Sequence, residues 1–222
     1  MTPVILCGPY GTGLLPSSRR SREEVTNILA VAGGTGVSLT LPVVLAATSN
    51  PAFDGAAIEF VWIIRRKSNT QWISAELEEL KHRSCANKHL NFKIHVYVTQ
   101  EHGSNSTATL QTHLLSEDRA REIGVEPLTE AFSFSSRLEK DLENPKLKIT
   151  YLNARHPSLQ DVVSRFIETR SSFDYRTRVI ASGPASMGYD LRAAVARLND
   201  GEKVWKGDRR FDVDLHWDDR MG

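Results

Sequence analysis

The chain has 222 residues, with 28 lysines and arginines against 27 aspartates and glutamates, a formal net charge of +1. That balance leaves no electrostatic footprint for nucleic acid. Cys7 and Cys85 are too few for a disulfide framework and read as free thiols. The seven histidines show no zinc-type spacing, so no structural metal is expected.

In chain order, Val4-Ile5-Leu6-Cys7 reads as a short strand running into the turn Gly8-Pro9-Tyr10-Gly11. Residues 17–24 are polar and basic and read as a solvated loop. Residues 25–53 then carry no charge, a stretch long enough to raise the question of a membrane span. Its glycines, its hydroxyl residues and Pro42 favour a buried strand followed by a helix. The strand is 28–32 (Ile-Leu-Ala-Val-Ala), unbroken and apolar as a strand buried on both faces should be. Gly33, Gly34 and Gly36 follow, and 37–47 reads as a mostly apolar helix. A buried strand, a glycine turn and a helix start make a corner where backbone N–H groups and the helix dipole can hold a phosphate. Leu39 stands where the third glycine of G-x-G-x-x-G would be, and no Gly-Lys-Ser/Thr follows. On the glycines alone, a plain strand-to-helix turn competes with a nucleotide site.

Residues 58–66 are the second strong strand, and Arg65, Arg66 and Lys67 close it. In a β-α-β nucleotide fold this strand end meets the adenosine ribose. A carboxylate there binds a free 2′-hydroxyl, whereas basic residues suit a 2′-phosphate. Glu59 lies at the other end; the competing reading is a solvated basic strand end. Residues 72–83 have helical apolar spacing (Trp72, Ile73, Leu77, Leu80). Residues 92–99 alternate as a strand on which His95 reads as a packed residue. From Gln100 to Pro145 the composition turns polar and reads as an insertion. A strand at 148–154 is stopped by Arg155-His156-Pro157, and Ser158 is a candidate cap for a helix over 159–169. A buried strand at 178–182 ends in Gly183-Pro184, a helix follows from about 189 to 198, and 211–217 alternates as a last strand. The alternation predicts an α/β fold, a doubly wound parallel sheet of five or six strands with 28–32 central. The ligand crevice belongs at the C-terminal ends of 28–32 and 178–182.

In this order, Gly8-Pro9-Tyr10-Gly11, the run from Ala32 to Ser38, Phe60-Val61-Trp62 with Arg65, then Trp72, then Ser182-Gly183-Pro184 with Met187 resemble the NADP-binding half of the ferredoxin-reductase superfamily. Within it the sequence is most similar to fungal ferric-chelate reductases and their relatives, the NADPH oxidases. The run Thr35-Gly36-Val37-Ser38-Leu39-Thr40-Leu41-Pro42 is especially like the fungal metalloreductase version. The resemblance covers most of the chain apart from the polar insertion. It implies that Gly33, Gly34, Thr35, Gly36 and Ser38 cradle the pyrophosphate of NADPH and that Arg65 reaches the adenosine phosphate. It also implies that Ser182, Gly183 and Pro184 lie beside the nicotinamide as the hydride-transfer site, with Met187 just after. The family usually has cysteine where this chain has Ser182, and an acidic residue where it has Cys7. Trp217 is the nearest counterpart of the aromatic that covers the flavin in relatives.

The resemblance also implies a layout. Residues 1–24 would be a linker strand and loop from a flavin-binding domain, and 25–222 the NAD(P)-binding domain with its insertion at about 100–146. Family members carry an FAD-binding barrel and a haem-bearing membrane domain upstream, and no Arg-x-Tyr-Ser/Thr flavin motif occurs here. The expectation is a piece that works with those partners at the cytosolic face of a membrane, itself soluble and cytoplasmic, since Met1-Thr2-Pro3 is not the basic opening of a leader. Three functions stay open. One is an oxidoreductase passing hydride from NADPH to FAD and electrons on to haem and ferric iron, or to oxygen as in the oxidases. The others are a nucleotide-binding module without independent turnover and a structural remnant.

Overall fold

The computed structural model describes residues 15, 26–86, 91–100, 147–152, 155–169 and 171–218. The strand, turn and loop expected before residue 25 and the insertion beyond Gln100 lie outside them. The apolar run at 28–32 is the middle of β1 (Thr26–Gly33), buried along its whole length. The other strands are β2 (Ala57–Ile64), β3 (Asn91–Val98), β4 (Leu147–Tyr151), β5 (Arg176–Ser182) and β6 (Val213–Trp217). Together they form one six-stranded sheet in the order β4-β3-β2-β1-β5-β6, and every pairing is parallel. β1 lies inside, with Ala32 level with Trp62 on β2 and with Ser182 on β5.

Helices cover both faces because β1 is apolar on both. Ile28, Ala30 and Ala32 pack with α1 (Val37–Ser49) and α2 (Ser74–Ala86) through Val44, Leu77 and Leu80. Leu29 and Val31 pack with α3 (Leu159–Thr169) and α4 (Ala185–Leu198) through Val163, Phe166 and Leu191. Each large aliphatic side chain so buried contributes about 1.5–3 kcal/mol, so β1 anchors both layers. The chain after β1 turns to one face and the chain after β5 to the other, which opens a crevice between these two strand ends.

The charge-free stretch therefore resolves into β1, a 3-10 turn, α1 and a second 3-10 turn at Pro51–Phe53; among the described residues no helix is long and apolar enough to cross a membrane. α1 runs through Pro42 to Ser49, two residues beyond the expected end. Trp72 and Ile73, expected in α2, belong instead to a 3-10 segment, Lys67–Ile73. There Thr70 Oγ1 donates to the Lys67 carbonyl at 2.7 Å and the Arg66 N–H donates to Asn69 Oδ1 at 3.0 Å, which tightens the winding. α4 starts at Ala185, four residues before the expected start, because Pro184 presets the N-cap. Phe211 sits in a 3-10 turn held by the Asp208 side chain, so β6 begins at Val213. A short α5 (Gly201–Trp205), not foreseen, is capped by Asp200, which accepts from the N–H groups of Glu202 and Lys203 at 3.1 Å each.

Glu59 is fully buried on β2 beneath α3. Its Oε1 accepts from Arg165 Nη2 at 2.9 Å, and the same guanidinium nitrogen is 3.0 Å from His95 Nδ1. Burial disfavours the Arg165 charge, but the hydrogen bond with Tyr97 and the charge of Glu59 outweigh it and raise its pKa. This pair ties α3 to the sheet.

Candidate functional site

The chain leaves β1 at Gly33 and turns at Gly34, whose φ of +53° lies in the left-handed region that favours glycine. The turn is pinned from β2: buried Trp62 donates Nε1–H to the Gly34 carbonyl at 2.9 Å. A 3-10 turn, Gly34–Gly36, leads into α1, whose start has no side-chain cap and no acidic residue in its first turn. The N–H groups of such a helix start attract an anion.

Beside it, β5 exits through Ser182, Gly183 and Pro184. A Cβ on Gly33 would stand 2.8 Å from Pro184 Cδ, and one on Gly183 would stand 2.6 Å from Met187 Cε and 3.1 Å from Gly33 Cα. A Cβ on Gly36 would stand 2.1 Å from the Ser182 carbonyl oxygen. Gly33, Gly36 and Gly183 are therefore demanded by the contact of the two strand exits. A Cβ on Gly34 meets nothing within 4 Å.

Outside these ends lies a cleft of about 690 Å³. Gly33, Gly34 and Thr35 line it from the β1 exit, and Pro184, Ser186, Met187 and Asp190 from the start of α4. Arg65, Asn69 and Trp72 enter from the chain after β2, Thr99 from the end of β3, and His156 and Leu159 from the start of α3. Exposed Arg65 stands one residue past β2 on a fixed backbone. Its carbonyl accepts from the Gln100 N–H at 2.9 Å, and the Ile64 carbonyl accepts from the Thr99 N–H at 2.9 Å. Trp72 is 56% exposed, with its ring 6.5 Å from that of Trp62.

The structure thus brings Gly33, Gly34, Thr35, Arg65, Pro184 and Met187 to one cleft. Gly36, Ser38, Ser182 and Gly183 are not among its lining residues. Ser38 is exposed on the first turn of α1, and Ser182 is buried with its carbonyl against Gly36. Trp217 lies over the chain's own α4: a Cβ on Gly188 would stand 2.7 Å from its ring, and the Arg192 guanidinium is 5.9 Å from the ring centre. Sequence reasoning did not pick out Asn69, Thr99, His156 or Asp190. The available signal was positional, since each follows the C-terminal end of a strand.

The family model described as the ferric reductase NAD binding domain matches residues 25–196. The chain belongs to the ferric reductase NAD-binding family. No curated protein matches it. The family's matched span takes in β1, its glycine corner, Arg65 and the exit from β5, and it ends inside α4. Membership in the ferric reductase NAD-binding family places the chain among NAD(P)H-binding oxidoreductase domains, in line with its all-parallel sheet.

Proposed function

We propose that this is the NADPH-binding part of a ferric-chelate-reductase-like oxidoreductase, working with a flavin-binding domain and a haem-bearing membrane domain at the cytosolic face of a membrane. The observation that carries the reading is Arg65, which lines the same cleft as the Gly34 turn. No carboxylate stands at that strand end to accept from a free ribose hydroxyl. The residues fit the cofactor. Gly34 offers bare backbone and α1 an uncapped start for the pyrophosphate, with Thr35 and Ser38 supplying hydroxyl donors. The Arg65 guanidinium presents a fork to the 2′-phosphate. Pro184 and Met187 would hold the nicotinamide end, with Ser182, Gly183 and Gly36 fixing the backbone beneath them.

When bound, NADPH supplies a hydride, which FAD on the partner domain would accept before electrons pass singly to haem and ferric iron. The chain's own residues bind and orient. Titration of NADPH and NADH against the parent and Arg65→Ala tests the reading. Charge-assisted bonds of about 1.5–3 kcal/mol predict a preference for NADPH of roughly ten- to a hundred-fold. Arg65→Ala should lose most of it and keep its NADH affinity. Equal affinity of the parent for both cofactors, or an unchanged preference in the variant, would contradict the reading. NADPH binding with no diaphorase activity on added FAD would favour a binding module without independent turnover.

A further inference from the structure

We infer that His156 is a second, titratable contact for the 2′-phosphate, so that the preference for NADPH over NADH varies with pH. The inference rests on the reading of Arg65 just given. Among the described residues, the titratable side chains lining the cleft are Arg65, His156 and Asp190. Among the described residues none of the three is held in an ion pair. Their places are polarised. Arg65 follows β2 and His156 follows β4, on one side of β1, whereas Asp190 belongs to α4, which follows β5 on the other side. A carboxylate repels a phosphate, so the phosphorylated end of the dinucleotide belongs on the Arg65 and His156 side.

The two cations enter from strands two places apart in the sheet, roughly 10 Å at 4.7–4.9 Å per strand. The strand ends between them are locked in step by backbone bonds: Gln100 N–H to the Arg65 carbonyl and Leu152 N–H to the Val98 carbonyl, each 2.9 Å, and Arg155 N–H to the Leu152 carbonyl at 3.0 Å. A guanidinium and an imidazole projecting into one cleft from either side of that span can close on a single phosphate. The helix start beside His156 does not compete for the anion. Ser158 Oγ already accepts from the Asp161 N–H at 3.2 Å, and the Asp161 carboxylate sits in that first turn. Among the described residues the remaining charge next to His156 in the chain is exposed Arg155. Between the cations the described lining is neutral: Asn69, Trp72 and Thr99.

The signs can be separated. Histidine gains its charge as pH falls through about 8 to 5, which tightens a phosphate contact. A phosphate monoester gives up its second negative charge near pH 6, which loosens every cationic contact. NADH lacks the 2′-phosphate and serves as the reference ligand. Titrating both cofactors between pH 8.5 and 5.5 should show the parent's NADPH preference rising about three- to ten-fold as pH falls from 8.5, and declining once the phosphate itself takes up a proton near pH 6. His156→Gln should show no rise, only the decline. His156→Arg should keep the high preference to pH 8.5, a rescue that loss of fold could not produce. His156 is exposed, so both variants should fold. Identical pH profiles for the parent and His156→Gln, with the preference still abolished by Arg65→Ala, would overturn the role of His156 alone. If His156→Gln fails to fold, a parent-like fall toward pH 8.5 in His156→Arg would overturn it instead. A parent with no NADPH preference at any pH would overturn the reading of Arg65 and this inference together.

Discussion

Gly34 and Gly36 are two positions apart and their glycines answer different demands. At Gly34 the backbone has φ +53° and open space beyond. Valine there is strained whatever binds, because β-branched residues do not tolerate that region, whereas asparagine does. Gly34→Asn should therefore keep its melting temperature within a few degrees and weaken NADPH and NADH together by at least about ten-fold, since the pyrophosphate is common to both. Calorimetric titration checks this; parent-like binding would make the corner a plain turn. At Gly36 the neighbour is the Ser182 carbonyl, backbone that cannot swing aside. Gly36→Ala should cost about 1–3 kcal/mol in overpacking, read as a lower melting temperature at about 2–4 °C per kcal/mol. The three glycines were legible in the sequence as a turn. Which of them faces a ligand and which faces another strand was not, because the partner of Gly36 lies 146 positions away at Ser182.

At the scale of elements, α1 was legible from its apolar run in spite of Pro42. That proline is exposed and withdraws the donor that the Ser38 carbonyl would otherwise receive. Pro42→Ala should raise stability by about 1–3 kcal/mol, visible as a higher melting temperature; no gain would mean that the bend at Pro42 suits the packing of α1. The start of α4 was hidden because Gly188 looks like a turn residue. In the fold it is the place where the Trp217 ring lies against the helix, a contact no local pattern announces. At the start of β6, Asp208 holds the preceding turn. The hydrogen bond from Arg210, more than their charge attraction, keeps the Asp208 carboxyl below its usual pKa. A depressed carboxylate contributes stability that is complete above its unfolded value, about pH 4, and is lost as pH falls through the folded one. The melting-temperature gap between the parent and Asp208→Asn should be widest near neutral pH and close toward pH 3. A gap of constant size would place the effect elsewhere.

For the whole molecule, sheet order makes the site. β1 and β5 are neighbours although 142 residues separate their ends, from Gly33 to Arg176 in sequence. Their exits diverge to opposite faces, and the cleft is the gap that results. Strand identity and the parallel class were legible because β1 and β2 are short apolar runs, β3 and β6 alternate, and glycine, proline or charge sets the strands off. The cleft's two flanks were not legible, since His156 and Asp190 are ordinary surface residues until β4 and β5 are placed on either side of β1. In the function we propose, one cleft holds a 2′-phosphorylated dinucleotide across β1. A crystal structure of the chain with NADP⁺ tests it most directly. The pyrophosphate should lie on the N–H groups of the Gly34–Gly36 turn and the 2′-phosphate against Arg65. A cofactor bound elsewhere, or lying in the cleft with its 2′-phosphate away from Arg65, would contradict it.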